Sequence, residues 1–191
     1  MEKAIVATAW DGRLKRVRLV WHRIYQPTPD DPLDFEQTVE ATLLDLHKRF
    51  HLRKVLFDPY QLVAVAQRLS RVRVRMEEYP QTVPNLTEAS QNLYELIEAC
   101  NLIVYPNDAI RLAVSRAVAV ETTRGWRIAK DKQSHKIDVV VALAMSSLAA
   151  LRSGADDDYA SLRWVTEDPP PRRDVIDLSP RPLSAHPFFN R

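Results

Sequence analysis

The apolar run at residues 4–10, Ala-Ile-Val-Ala-Thr-Ala-Trp, predicts a strand, and Asp11-Gly12 after it predicts a hairpin turn. Residues 16–25 alternate in part between polar and apolar, as a second, antiparallel strand would. Pro27, Pro29 and Pro32 then break the pattern. Asp34 stands as the cap of a helix from Phe35 to Phe50, whose positions Phe35, Val39, Leu43, Leu46 and Phe50 keep helical spacing. A short strand at 53–57 stops at Asp58-Pro59, and a helix is expected from Tyr60 to Arg71. Further along, the pattern predicts a strand at 73–79, a loop at Thr82–Asn85 and an amphipathic helix from Leu86 to Ala99. Next come an extended piece at Leu102–Tyr105, a helix from Asp108 to Val118 and a hairpin turned at Arg124-Gly125. The last helix, Ile137 to Leu151, is apolar and alanine-rich enough to be largely buried.

An antiparallel hairpin followed by strand–helix alternation predicts an α/β fold: a mixed sheet with helices on its faces. One domain is expected over residues 1–153. From Gly154 the character changes, with Asp156–Asp158, Pro169–Pro171, Pro180, Pro182 and Pro187, so residues 154–191 read as a poorly packing, disordered tail.

Composition narrows the class only a little. Hydrophobic residues make up 46% and charged residues 27% of the chain, ordinary values for a soluble globular protein. No apolar run suits a membrane span, and Met-Glu-Lys-Ala-Ile-Val is not a secretory signal. The lone Cys100 excludes an internal disulfide and fits a reducing cytoplasm. A net charge of +2 says little about partners, but basic residues gather at Arg68, Arg71, Arg73 and Arg75, and again at Arg124, Arg127, Lys130, Lys132 and Lys136. A local basic face binds polyanions even on a nearly neutral protein, though such clusters also serve as solvated helix faces.

Two carboxylates carry the candidate chemistry. Asp58 ends an apolar strand, and groups at the carboxyl end of a strand border the usual binding crevice of an α/β sheet. The Asp-Pro pair also fits a helix cap followed by the favoured first helical residue. Asp138, in Ser134-His135-Lys136-Ile137-Asp138, opens the last helix, where a first-turn acid also complements the helix dipole. Together they point to Mg²⁺ or Mn²⁺, which prefer hard oxygen ligands. Phosphodiester cleavage commonly uses two such ions about 4 Å apart, and two ions call for three or four carboxylates. Other chemistries fail sooner. Gly12, Gly125 and Gly154 are the only glycines, so neither a P-loop nor a dinucleotide fingerprint exists. The five histidines show no zinc spacing, and His47 and His51 read as a surface pair. Ser90 and Ser115 lack the glycines of a nucleophile elbow.

Four stretches in order resemble the nuclease domain of tailed-phage large terminases. They are Val55-Leu56-Phe57-Asp58-Pro59-Tyr60-Gln61, then Gln81-Thr82-Val83-Pro84-Asn85-Leu86 with Ala89–Ile97, then Leu102-Ile103-Val104-Tyr105-Pro106, and finally His135-Lys136-Ile137-Asp138 with Val139–Ala144. The resemblance covers about residues 4–150 and implies an RNase H-like sheet with a two-metal endonuclease that cuts concatemeric DNA during genome packaging. By motif, Asp58 and Asp138 would be the catalytic, metal-binding residues, with Mg²⁺ or Mn²⁺ as cofactor. Lys130, Lys136 and Arg127 would meet phosphate of double-stranded DNA. The implied partners are DNA, the portal and the small terminase, in the host cytoplasm.

The chain departs from that family at its start. The family's first strand bears a further catalytic Asp in a Val-Gly-Val-Asp-like stretch and follows a packaging ATPase domain. Here Met1-Glu2-Lys3 precedes what reads as the second strand, so that strand, its Asp and the ATPase domain are expected to be missing. Glu2 and Asp11 are poor substitutes for the Asp. Three expectations follow: a terminase-type nuclease whose cleavage is weakened or lost by truncation, a non-cleaving DNA- or partner-binding RNase H-like module, or an inactive fragment with an open, hydrophobic sheet edge.

Overall fold

The computed structural model describes residues 2–28, 34–123 and 125–155. The expected initial hairpin is present. Strand β1 (Lys3–Asp11) pairs antiparallel with β2 (Arg16–Tyr25), with a register shift between Ala7 and Thr8. Asp11 closes the turn, its Oδ1 accepting from the N–H groups of Arg13 and Leu14, both at 3.1 Å. Helix α1 (Phe35–Arg49) starts where the cap predicts, because Asp34 accepts from the Gln37 N–H at 2.9 Å.

The next elements are β3 (Val55–Phe57), α2 (Val63–Arg71), β4 (Met76–Glu78) and α3 (Val83–Glu98). Helix α2 begins later than expected. Asp58 accepts from the Tyr60 N–H, and Gln61 takes a left-handed backbone with φ 63°, so residues 59–62 form a turn rather than a first helical turn. Helix α3 begins earlier than expected, because Thr82 caps it and Pro84 is tolerated in a first turn. Helices α2 and α3 both end on left-handed residues, Arg73 and Cys100, and each has two closing bonds. The pairs are Arg73 N–H to Ser70 and Val74 N–H to Leu69 in one, Cys100 N–H to Ile97 and Asn101 N–H to Leu96 in the other.

Then follow β5 (Leu102–Ile103), α4 (Asp108–Ser115), the hairpin β6 (Ala117–Thr122) and β7 (Gly125–Lys130), and α5 (Asp138–Ala155). Helix α5 runs past the expected domain boundary, through Gly154, where the helix lies so close to the Trp10 ring that a Cβ would collide. The tail beyond it, residues 156–191, lies outside the described residues.

The strands form three ladders, in the orders β1-β2-β5, β3-β4 and β6-β7. β2 pairs parallel with β5, and β3 parallel with β4, so the expected mixed sheet comes in separate pieces. The first two pieces share one layer. Val6 and Leu56 pack on a core of α3, α4 and α5 side chains that includes Leu93, Ile110, Val140 and Leu143. Their neighbours Ile5 and Val55 pack on a second core of α1 and α2 side chains, Val39, Leu43, Leu46, Val65 and Leu69. Consecutive residues on a strand point to opposite faces, so β1 and β3 each lie between the same two helical layers. Among the described residues, no strand lies between them. No described helix is long and apolar enough to cross a membrane.

Candidate active site

A cleft of about 990 Å³ opens between the facing edges of β1 and β3, with α1 on one side and α5 on the other. All five residues singled out from the sequence line it: Asp58, Arg127, Lys130, Lys136 and Asp138. Three separate parts of the chain bring them there. Asp58 follows the last residue of β3, Arg127 and Lys130 lie on β7, and Lys136 and Asp138 stand at the entry of α5.

Asp58 and Asp138 are both partly exposed. Asp58 uses Oδ1 to hold the Tyr60 N–H at 3.1 Å, so its structural role is a local turn and not the cap of α2. Among the described residues, no ion pair engages either carboxylate. Tyr60, 70% exposed, projects at the same rim. Lys130 donates from Nζ to the Gln133 carbonyl at 2.9 Å, which ties the end of β7 to the following loop.

That loop carries two cleft residues that sequence reasoning passed over, Asp131 and His135, which pair with each other. Limited desolvation pushes the Asp131 carboxyl up, but the His135 hydrogen bond and charge, with help from Lys132, hold it below the usual carboxylate range. The signal was their spacing of four residues immediately before Asp138, which no periodic pattern flags. Glu2 and Asp11 do not join the cleft. Glu2 is buried and accepts from Gln26 Nε2 at 2.9 Å.

The arginine cluster is partly committed elsewhere. Arg68 donates to Glu40 at 2.7 Å and to Glu36 at 3.3 Å, clamping α2 onto α1. These bonds, Glu40 first, raise its pKa. His47 is not simply a surface residue, since its Nδ1 is buried with no hydrogen-bond partner. Ser90 is structural: its hydroxyl donates to the Leu86 carbonyl at 2.6 Å and accepts from the Ile128 N–H at 2.9 Å.

Among the described residues, no three His, Cys, Asp or Glu side chains are grouped to hold a metal ion. Two carboxylates suit a single Mg²⁺ or Mn²⁺ that keeps most of its water. They fall short of the three or four carboxylates that a pair of ions requires.

A layer of strands between two helical layers, with an acid- and lysine-lined cleft at a strand end, makes this an α/β domain of RNase H-like fold. Comparison with solved structures sharpens this to the fold of the phage large-terminase nuclease domain. The HK97 bacteriophage large terminase superimposes with a TM-score of 0.61 at 16% identity, over 78% of this chain and 40% of that one. The large terminase nuclease from thermophilic phage G20c, in a crystal structure with bound magnesium, gives 0.55 at 14% identity, over 77% of this chain and 81% of that one. The Thermus phage P74-26 large terminase nuclease domain gives 0.53 at 15% identity, over 76% and 78% respectively. The chain thus spans about 40% of the length of the HK97 protein. No protein-family model matches the sequence, and no curated protein does.

Proposed function

We propose that this chain is the metal-dependent DNA-cleaving domain of a phage or prophage large terminase. It would act on double-stranded concatemeric DNA during genome packaging in the host cytoplasm, with the portal and small terminase as partners. The observation that carries this reading is the convergence of Asp58, Asp138, Arg127, Lys130 and Lys136 on one cleft from three parts of the chain. In this reading Asp58 and Asp138 hold Mg²⁺ or Mn²⁺, a choice supported by the magnesium and cobalt bound in structures of the G20c nuclease. A cation there supplies Lewis acidity and an activated water. Arg127, Lys130 and Lys136 neutralise phosphate, contacts that position DNA without reading its sequence.

Incubation of supercoiled plasmid with the protein and Mn²⁺ tests the proposal. Slow nicking that disappears in both Asp58→Ala and Asp138→Ala is expected. Nicking that survives Asp58→Ala would remove this site from the reaction. A second reading, a DNA-binding module that does not cut, is favoured by the lack of a three-acid cluster among the described residues. It predicts no nicking at any Mn²⁺ concentration but a steep fall of DNA affinity with salt, with Lys130→Ala and Lys136→Ala each reducing the slope by about 1.

A further inference from the structure

We propose that the arginines at the end of α2 form a second, non-catalytic contact surface for the phosphates of duplex DNA, at the opposite end of β3 from Asp58. The fold divides the sequence cluster Arg68, Arg71, Arg73 and Arg75. Arg68 is tied to α1 through Glu40 and Glu36. The other three are turned outward by the residues between them. Leu69 and Val74 are buried in the second core, and Met76 packs against it, which leaves Arg71, Arg73 and Arg75 exposed. The end of α1 arrives at the same place. Leu46, Phe50, Leu52 and Val55 pack in that core too, and Lys48, Arg49 and Arg53 are exposed around it. Parallel pairing of Val55 with Met76 sets the two strand starts side by side. Asp58 follows the other end of β3.

Charge at this pole is one-sided. Residues 45–56 and 70–77 hold seven lysines and arginines against two acids, Asp45 and Glu77, a net +5 in a chain of net +2. Both acids are already paired, Asp45 with Arg49 and Glu77 with Lys54. Among the described residues, no ion pair engages Lys48, Arg71, Arg73 or Arg75. Helix dipoles explain only some of these cations. Lys48, Arg49 and Arg71 stand in last turns, where positive charge complements a helix C-terminus. Arg73 and Arg75 lie beyond α2, where that explanation does not reach. Like charges gathered this way repel one another, and a polyanion relieves the repulsion. Arginine suits phosphate in particular, because its planar fork donates to two oxygens at once. The occupant follows from continuity with the cleft, whose lining runs from Asp58 to His51, Arg53 and Lys54 at the other end of β3. This inference rests on the DNA-binding part of the proposed function, and it holds whether or not the chain cuts.

Fluorescence anisotropy of a labelled duplex of random sequence, across a salt series with the full chain, tests this directly. Arg71→Gln combined with Arg73→Gln and Arg75→Gln should flatten the plot of log affinity against log salt by about 3. Between about 50 and 200 mM salt, the variant should then lose about fortyfold less affinity than the wild type. Each single substitution should flatten the plot by about 1, which keeps the test open to variants that fold as the wild type does. The melting temperature of the triple variant should not fall, since only exposed like charges are removed. Arg111→Gln, which removes an exposed arginine on α4, should leave the slope unaltered. A wild-type slope in the triple variant overturns the proposal. So does an equal loss per charge from Arg111→Gln, which marks a general charge effect. A wild-type protein that binds no duplex overturns this proposal and the DNA reading of the cleft together. A slope that depends on Lys130 and Lys136 but not on the three arginines overturns this one alone.

Discussion

Ser90 joins α3 to the hairpin that carries Arg127 and Lys130, and Ser90→Ala measures what that joint contributes. The residue is 3% exposed, and its hydroxyl has two bonds, from the Ile128 N–H and to the Leu86 carbonyl. Truncation leaves the Ile128 N–H without its acceptor, and an orphaned buried donor costs about 1–3 kcal/mol. Alanine recovers about 0.5 kcal/mol through its better helix propensity. The net loss is therefore about 0.5–2.5 kcal/mol, and a chain of this size loses about 2–4 °C of melting temperature per kcal/mol. Circular dichroism melts should show a fall of several degrees. Ser115→Ala is the control, since that exposed hydroxyl bonds only the Leu112 carbonyl in its own helix, and it should change little. DNA affinity in the Ser90 variant should fall as well, through the loosened Arg127 and Lys130. A Ser90 variant that melts with the wild type would refute the argument that this hydroxyl holds the hairpin.

Other consequences are open to measurement. Gly154→Ala should destabilise: the helix alone would gain up to about 1 kcal/mol from alanine, but displacing the Trp10 ring costs about 1–3 kcal/mol, so a higher melting temperature would contradict the close packing. Leu69→Ala removes a side chain with 0% exposure from the second core and should cost about 2–5 kcal/mol in urea unfolding, where a loss under 1 would mean the site collapses freely. Burial lowers the His22 pKa below 6.5, opposed by a hydrogen bond to Asn107, while its Nδ1 meets the Tyr105 hydroxyl. A depressed histidine leaves the unfolded chain binding more protons, so its contribution is full above pH 6.5 and is lost as pH falls below that value. Melting temperature should fall less steeply on acidification in His22→Gln than in the wild type, and identical slopes would exclude His22 as the cause.

Local signals carried well from sequence to structure. Asp34 caps α1 where it was expected, and Asp11-Gly12 opens a hairpin turn, because each is settled by a few neighbouring atoms. The start of α2 was misjudged because the Asp58–Tyr60 bond and the left-handed Gln61 compete with a helical first turn. Gly154 read as the start of the tail but lies inside α5, close against the ring of Trp10, a residue remote in sequence. The division of the strands into separate ladders was illegible, since alternation gives a strand's faces and not its partner. For the site, Asp58 and Asp138 were found from strand end, helix start and resemblance, and they do line one cleft. Asp131 and His135 were not, because a polar pair in a loop leaves no periodic trace.

The central claim is that Asp58 and Asp138 together hold a divalent cation, and Mn²⁺ titration of the full chain, followed by calorimetry or by the loss of the free-ion electron paramagnetic resonance signal, tests it most directly. The account predicts one weak, saturable site, lost in Asp58→Ala and equally in Asp138→Ala. It should be intact in Asp45→Ala, which removes an exposed carboxylate paired with Arg49 on α1. Saturable binding that persists in both cleft variants, or that vanishes equally in the Asp45 variant, would contradict it.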